Sequence, residues 1–127
     1  QNIGIPVSLF IDPVETQIEA AKEIGATFIE IHTGTYAQAN LFNKSIELSR
    51  IIEGTSRAIN LGLRVNAGHG LTYQNVEPIA AIEGIEELNI GHTIIARSIA
   101  VGLKEAVQEM KSLITNPRKY HLLELHK

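Results

Sequence analysis

Leu63 to Gly70 reads LRVNAGHG, and this stretch decides the fold. A strand-like run, Leu63 to Ala67, ends in Gly68-His69-Gly70, where two glycines stop the strand and leave one titratable ring uncovered. The pattern returns once, where Glu87 to Ile90 runs into Gly91-His92. Working outward, Thr27 to His32 reads as an earlier strand and Ile5 to Ile11 as the first, with Pro6 near its start. It is bounded by Asp12-Pro13, where aspartate can cap and proline can take the first helical position. Helices fill the intervals. Val14, Ile18 and Ala21, with Ala20 or Ile24, recur at helical spacing before Gly25. After a glycine-containing loop, Thr33-Gly34-Thr35, the residues Leu48, Ile51, Ile52, Thr55 and Ile59 form a stripe that Gly62 ends. A shorter helix starts near Asn75 as a cap and carries Pro78 in its first turn. Thr93 to Val101 reads as another, and beyond Gly102 the residues Leu103, Ala106, Val107, Met110 and Ile114 make the last amphipathic one.

Strand and helix thus alternate four times, which implies parallel strands joined by right-handed crossovers. Alternate strand residues face opposite sides of a sheet. One face is aliphatic: Val7, Leu9 and Ile11; Ile29 and Ile31; Leu63 and Val65; Leu88 and Ile90. The other carries Ser8 and Phe10, Phe28, Glu30 and His32, Arg64 and Asn66, then Asn89. That is too polar for a sheet covered by helices on both sides, and it suits the inside of a closed barrel near its mouth. The fold class is therefore α/β. Four units are half of a TIM (β/α)8 barrel of about 250 residues. The chain opens at Gln1 and its one methionine is Met110, so the expectation is the C-terminal half of a longer chain. Residues 1–115 carry the four units and 116–127, from Asn116-Pro117, read as a tail without a usable motif.

Bulk properties exclude several partners. The 11 basic and 14 acidic residues leave a net charge of -3, with no basic cluster dense enough to track a nucleic-acid backbone. Without cysteine there is neither a disulfide framework nor a thiolate metal site. No apolar run approaches the roughly 20 residues of a membrane span, and the start lacks the order of a signal peptide. The expectation is a cytoplasmic protein that engages neither nucleic acid nor membrane.

Barrel chemistry sits where strands end and loops begin, and phosphate commonly binds beside the last two strands at a helix N-terminus. Gly91 would let the backbone approach such an anion, and the helix that follows offers free N–H groups, with His92 beside them. A turn glycine with a solvated histidine is the bland reading. His69, between Gly68 and Gly70, is a candidate to donate or accept a proton near neutral pH. Glu30 and His32 share the interior face, where Glu30 reads most simply as an ion pair with Arg64 on the next strand. No His-x-His or His-Glu-x-x-His spacing is present, so no metal is expected.

Four strings then carry a resemblance. Val7 to Asp12 (VSLFID), Phe28 to Gly34 (FIEIHTG), Val65 to Tyr73 (VNAGHGLTY) and Glu87 to His92 (ELNIGH) are similar, in order, to strands five to eight of the pyridoxine 5'-phosphate synthase family. The similarity runs from about Pro6 to about Ile114. It implies a transferase of vitamin biosynthesis that condenses 1-deoxy-D-xylulose 5-phosphate with 3-amino-2-oxopropyl phosphate to pyridoxine 5'-phosphate, phosphate and water. No cofactor is implied, and the family's assembly is a homo-oligomer, an octamer. The resemblance makes His69 the proton donor, Gly70 a substrate-binding position, Gly91 and His92 the substrate phosphate site, and Glu30 the residue that stabilises the transition state. Thr33 to Asn40 is the candidate loop to close over substrate. The family's other catalytic residues belong to strand-helix units one to four, which this chain does not carry. Two alternatives stand beside it: another phosphosugar-binding barrel enzyme, or a half-barrel that serves as a scaffold. Aldolase chemistry would want a lysine at a strand end, and no strand here ends in one.

Overall fold

The aliphatic face foreseen in the sequence is where the core forms. In the computed structural model, which describes residues 4–117, Ile29, Ile31, Val65 and Ala67 are wholly buried. Full burial of each of the three larger side chains contributes about 1.5–3 kcal/mol. Four strands carry this face: β1 (Ser8–Ile11), β2 (Phe28–His32), β3 (Arg64–Gly68) and β4 (Ile85–Asn89). They are parallel, and their order in the sheet is their order in the chain. That is the arrangement of consecutive strands in a (β/α) barrel, so the α/β half-barrel expectation holds.

The described residues divide into two compact units, 4–70 with Gly84–Asn89, and Leu71–Glu83 with 90–117. The first holds the whole sheet with α1 (Glu15–Glu23), α2 (Gly34–Gln38) and α3 (Leu41–Asn60). Ile18 and Ala21 of α1 and Leu48, Ile51 and Thr55 of α3 are buried as the spacing predicts, whereas Ile59, expected in the same stripe, is exposed and Ala58 beside it is buried instead. Asn40 caps α3 by accepting from the amide of Asn43 at 3.0 Å. Arg57 of α3 binds both Glu15 and Glu19 of α1, which fixes the two helices against each other. On the sheet face away from this core, Phe10, Phe28, Glu30, His32, Arg64, Asn66 and Asn89 are all at least partly exposed.

Three local expectations change. Asp12 does not cap α1, whose cap position is Val14. The loop expected to close over substrate, Thr33 to Asn40, is largely helix α2, with Gly34 and Tyr36 buried. The last strand is Ile85–Asn89 rather than Glu87 to Ile90, with one extra residue, Glu86, facing the step between Val65 and Asn66. Such a bulge bends the strand and re-aims its side chains.

The second unit is helical: α4 (Val76–Ala80), α5 (His92–Val101) and α6 (Leu103–Thr115). Asn75 takes the cap position of α4, but its side chain accepts from the Thr72 amide at 2.6 Å instead of a helix amide. Gly102, with φ of +85°, turns the chain between α5 and α6. Arg97 and Glu109 then close a two-pronged ion pair, both contacts 2.8 Å. Tyr73 donates to the Ala106 carbonyl at 2.8 Å. Residues 118–127 of the expected tail lie outside the described residues. Among the described residues no helix is long and apolar enough to cross a membrane.

Candidate active site

The C-terminal ends of β1, β2 and β3 bring three rings together. Phe10 meets His32 edge-on with centroids 5.1 Å apart, and His32 lies 4.7 Å from His69. His32 is placed by Asp12, which follows β1: its Nδ1 lies 3.1 Å from Asp12 Oδ1. Asp12 accepts, so Nδ1 carries the hydrogen of this bond and Nε2 remains for other partners. Both imidazoles line a cavity of about 410 Å³ together with Gly34, Thr35, Gln38 and Asn43.

His69 is exposed and has φ of +85°, the only positive value at a non-glycine position among the described residues. A side chain in this left-handed region costs about 1–3 kcal/mol and persists where surrounding structure over-determines it. The over-determination is visible. Thr33, fully buried, sets its hydroxyl 2.7 Å from the Gly68 carbonyl and 2.6 Å from the His69 carbonyl, and its amide donates to Gly68 at 2.8 Å. Gly70 continues the turn at φ of +75°.

Glu30 reaches across β3 rather than along it. Its Oε2 accepts from Asn89 Nδ2 at 2.8 Å, and Gly68, the β3 residue between them, lacks the side chain that would stand in the way. A Cβ at Gly68 would lie 2.5 Å from Glu30 Oε1 and 2.9 Å from the Asn89 carbonyl. A Cβ at Gly34 would lie 2.6 Å from His32 Nε2 and 3.0 Å from a carbon of the His69 ring. These two glycines are therefore the space that the carboxylate and the imidazoles occupy.

Arg64 is not the partner of Glu30. It stands opposite Phe28, one pleat below, and its guanidinium lies over that ring at 4.2 Å. The bulge in β4 then brings Glu86 within reach, and Arg64 Nε binds both its oxygens at 2.9 and 3.0 Å. Those hydrogen bonds hold the Glu86 carboxyl below the usual carboxylate range. Glu30 is left with a neutral amide partner and the cation is taken elsewhere.

Gly91 and His92 belong to the second unit. Gly91 caps α5 with φ of -123°, and a Cβ there would meet nothing within 4 Å. His92 is the first residue of α5, one position earlier than the helix start expected at Thr93, and it is exposed. The amides of Ile94 and Ile95 return to the Gly91 carbonyl at 3.0 and 3.2 Å. The earlier amides of the turn are those a helix leaves for an outside acceptor. Of the five candidate positions, Glu30, His69 and Gly70 lie in the sheet unit, and Gly91 and His92 in the helical one.

Sequence reasoning missed Thr33, Asn89 and the Asp12–His32 pair. Asp12 and His32 carried a signal, since both sit at strand ends where barrel sites are built. Thr33 carried none, because its partners lie 35 and 36 residues away.

Comparison with known proteins gives a consistent result. The family model described as Pyridoxal phosphate biosynthesis protein PdxJ matches residues 1–116. Pyridoxine 5'-phosphate synthase of Prochlorococcus marinus (strain MIT 9313) is 70% identical over 119 residues, covering 94% of this chain and 49% of the relative. The protein of the same name from Synechococcus sp. (strain RCC307) is 62% identical over 119 residues, covering 94% of this chain and 47% of the relative. The chain spans about half the length of the curated relatives it matches.

Proposed function

Because the chain belongs to the Pyridoxal phosphate biosynthesis protein PdxJ family, we propose that it supplies catalytic and binding groups for a ring-closing condensation of two phosphorylated substrates. The substrates are 1-deoxy-D-xylulose 5-phosphate and 3-amino-2-oxopropyl phosphate, and the products are pyridoxine 5'-phosphate, phosphate and water. The observation that carries this reading is the conformation of His69, an exposed imidazole held on a left-handed turn beside a second imidazole and a cavity.

Phosphate and water leave in this reaction, and a departing hydroxyl needs a proton to leave as water. His69 donates it, since an imidazole can give and regain a proton near neutral pH. Glu30, held by Asn89 and not paired with Arg64, is the group placed to stabilise positive charge that develops in the transition state. Gly70 binds substrate next to the acid. Gly91 and His92 hold a substrate phosphate at the start of α5, where free amides and the helix dipole favour an anion. An anchor of this kind holds phosphate without a surplus of basic side chains, which agrees with the net charge of -3. The groups that deprotonate the substrates belong, in this reading, to the counterpart of the region of the relatives that the chain does not cover.

The native polypeptide given both substrates forms pyridoxine 5'-phosphate, and His69→Asn lowers kcat by about 10²- to 10⁴-fold. No product from the native protein, or an unchanged rate from His69→Asn, overturns the reading.

A further inference from the structure

We propose that Thr33 is a positioning residue for His69: its buried hydroxyl fixes both dihedrals of that residue and so sets the direction from which the imidazole meets substrate. The proposal rests on the reading of His69 as proton donor. Two peptide planes flank the Cα of His69. The one before it carries the Gly68 carbonyl and the one after it carries the His69 carbonyl. The single hydroxyl of Thr33 lies 2.7 Å from the first and 2.6 Å from the second, so it holds both planes at once. A threonine hydroxyl has one hydrogen, which is shared between the two oxygens. The Thr33 amide adds a bond of 2.8 Å to the Gly68 carbonyl.

With both planes held, φ of +85° at His69 is maintained although the residue carries a Cβ that disfavours it. Released, the turn would relax toward negative φ and swing the Cα–Cβ bond, and the ring with it. The device is itself anchored. Thr33 is fully buried at the start of α2, where its own carbonyl accepts from Ala37 at 2.9 Å. The tip of β3 is thereby tied to a helix that leaves the end of β2, and the acid is placed by two elements instead of one. The Thr33 hydroxyl bonds the backbone carbonyls of Gly68 and His69, so its effect on the reaction passes through the turn that carries the His69 imidazole.

The test separates the hydrogen bond from the packing. Thr33→Val keeps the shape and removes the donor, whereas Thr33→Ser keeps the donor. In the native protein Thr33→Val is expected to lower kcat by about 10- to 100-fold with KM changed less than about threefold, and Thr33→Ser to restore most of the rate. In parallel, backbone ¹⁵N relaxation at His69 and Gly70 should report added motion in Thr33→Val and not in Thr33→Ser. A folded Thr33→Val with wild-type kcat, or a folded Thr33→Ser as slow as Thr33→Val, overturns the proposal. If Thr33→Val does not fold, Thr33→Cys, a weaker donor, takes its place: an intermediate kcat supports the proposal and a wild-type kcat overturns it. His69→Asn is measured alongside. Wild-type turnover by that variant defeats the proton-donor reading, whereas its inactivity beside a fully active Thr33→Val defeats the positioning proposal alone.

Discussion

The two glycine-histidine turns are spelled alike and built differently. At the end of β3 the place a Gly68 side chain would take is filled by the protein itself, with Glu30 Oε1 2.5 Å from the Cβ position. At the start of α5 the same place beside Gly91 is open, with nothing within 4 Å. His69 is held at a positive φ by a buried threonine, while His92 simply begins a helix. The first glycine makes room for the Glu30 carboxylate and the Asn89 backbone, and the second leaves its surroundings open. A glycine before a histidine therefore says that space is needed. Only its surroundings say for what.

The contrast can be broken by substitution, and the largest effect belongs to the crowded turn. Gly68→Ala forces apart Glu30 and the Asn89 backbone, which should cost about 1–3 kcal/mol in urea denaturation and at least about 10²-fold in kcat. Wild-type values for both would show that the space is not needed. Gly91→Ala should leave stability within about 0.5 kcal/mol and raise KM by up to about tenfold for the phosphorylated substrate proposed to bind there. A marked loss of stability would mean that this glycine also serves the fold. The smallest effect concerns the helix that the second turn begins. Arg97 holds the Glu109 carboxyl below its ordinary range by hydrogen bonds, then by charge. This contribution to stability is fully present above the unfolded carboxylate value of about 4.3 and is lost as pH falls through the lower folded value. Thermal melts should therefore lose a small, Glu109→Gln-sensitive increment on acidification below about pH 4.

Patterns with a short period were legible before any coordinates. The aliphatic face of β2 and β3, the buried stripe of α3 and the two strand-end histidines followed from alternation and helical spacing. What was not legible depended on neighbours distant in sequence. Five residues of α2 are too few to show a period, and the helix begins at Gly34, a poor helix former. The partner of Glu30 could not be read because the β4 bulge moves Glu86 into reach of Arg64 and lets Asn89 face Gly68. Asp12 looked like a cap because its neighbours in sequence are a strand and a proline. Its use as a partner of His32 required β1 and β2 to be adjacent and in register.

The extra residue in β4 also makes that strand a splice between two phases. Counted strictly from Ile85, alternation would turn Leu88 outward and hide Asn89 on the helix side; counted from Glu87, it does the reverse, and the second count is the one the sheet obeys. Removing Glu86 would merge the phases without moving Asn89 from Gly68, at the expense of Arg64 alone. Adding one residue between Glu87 and Asn89 would invert the strand's end and take from Glu30 its amide donor. The carboxylate on β2 is thus governed by a length, that of the segment from Glu87 to Asn89, more than by any side chain on its own strand.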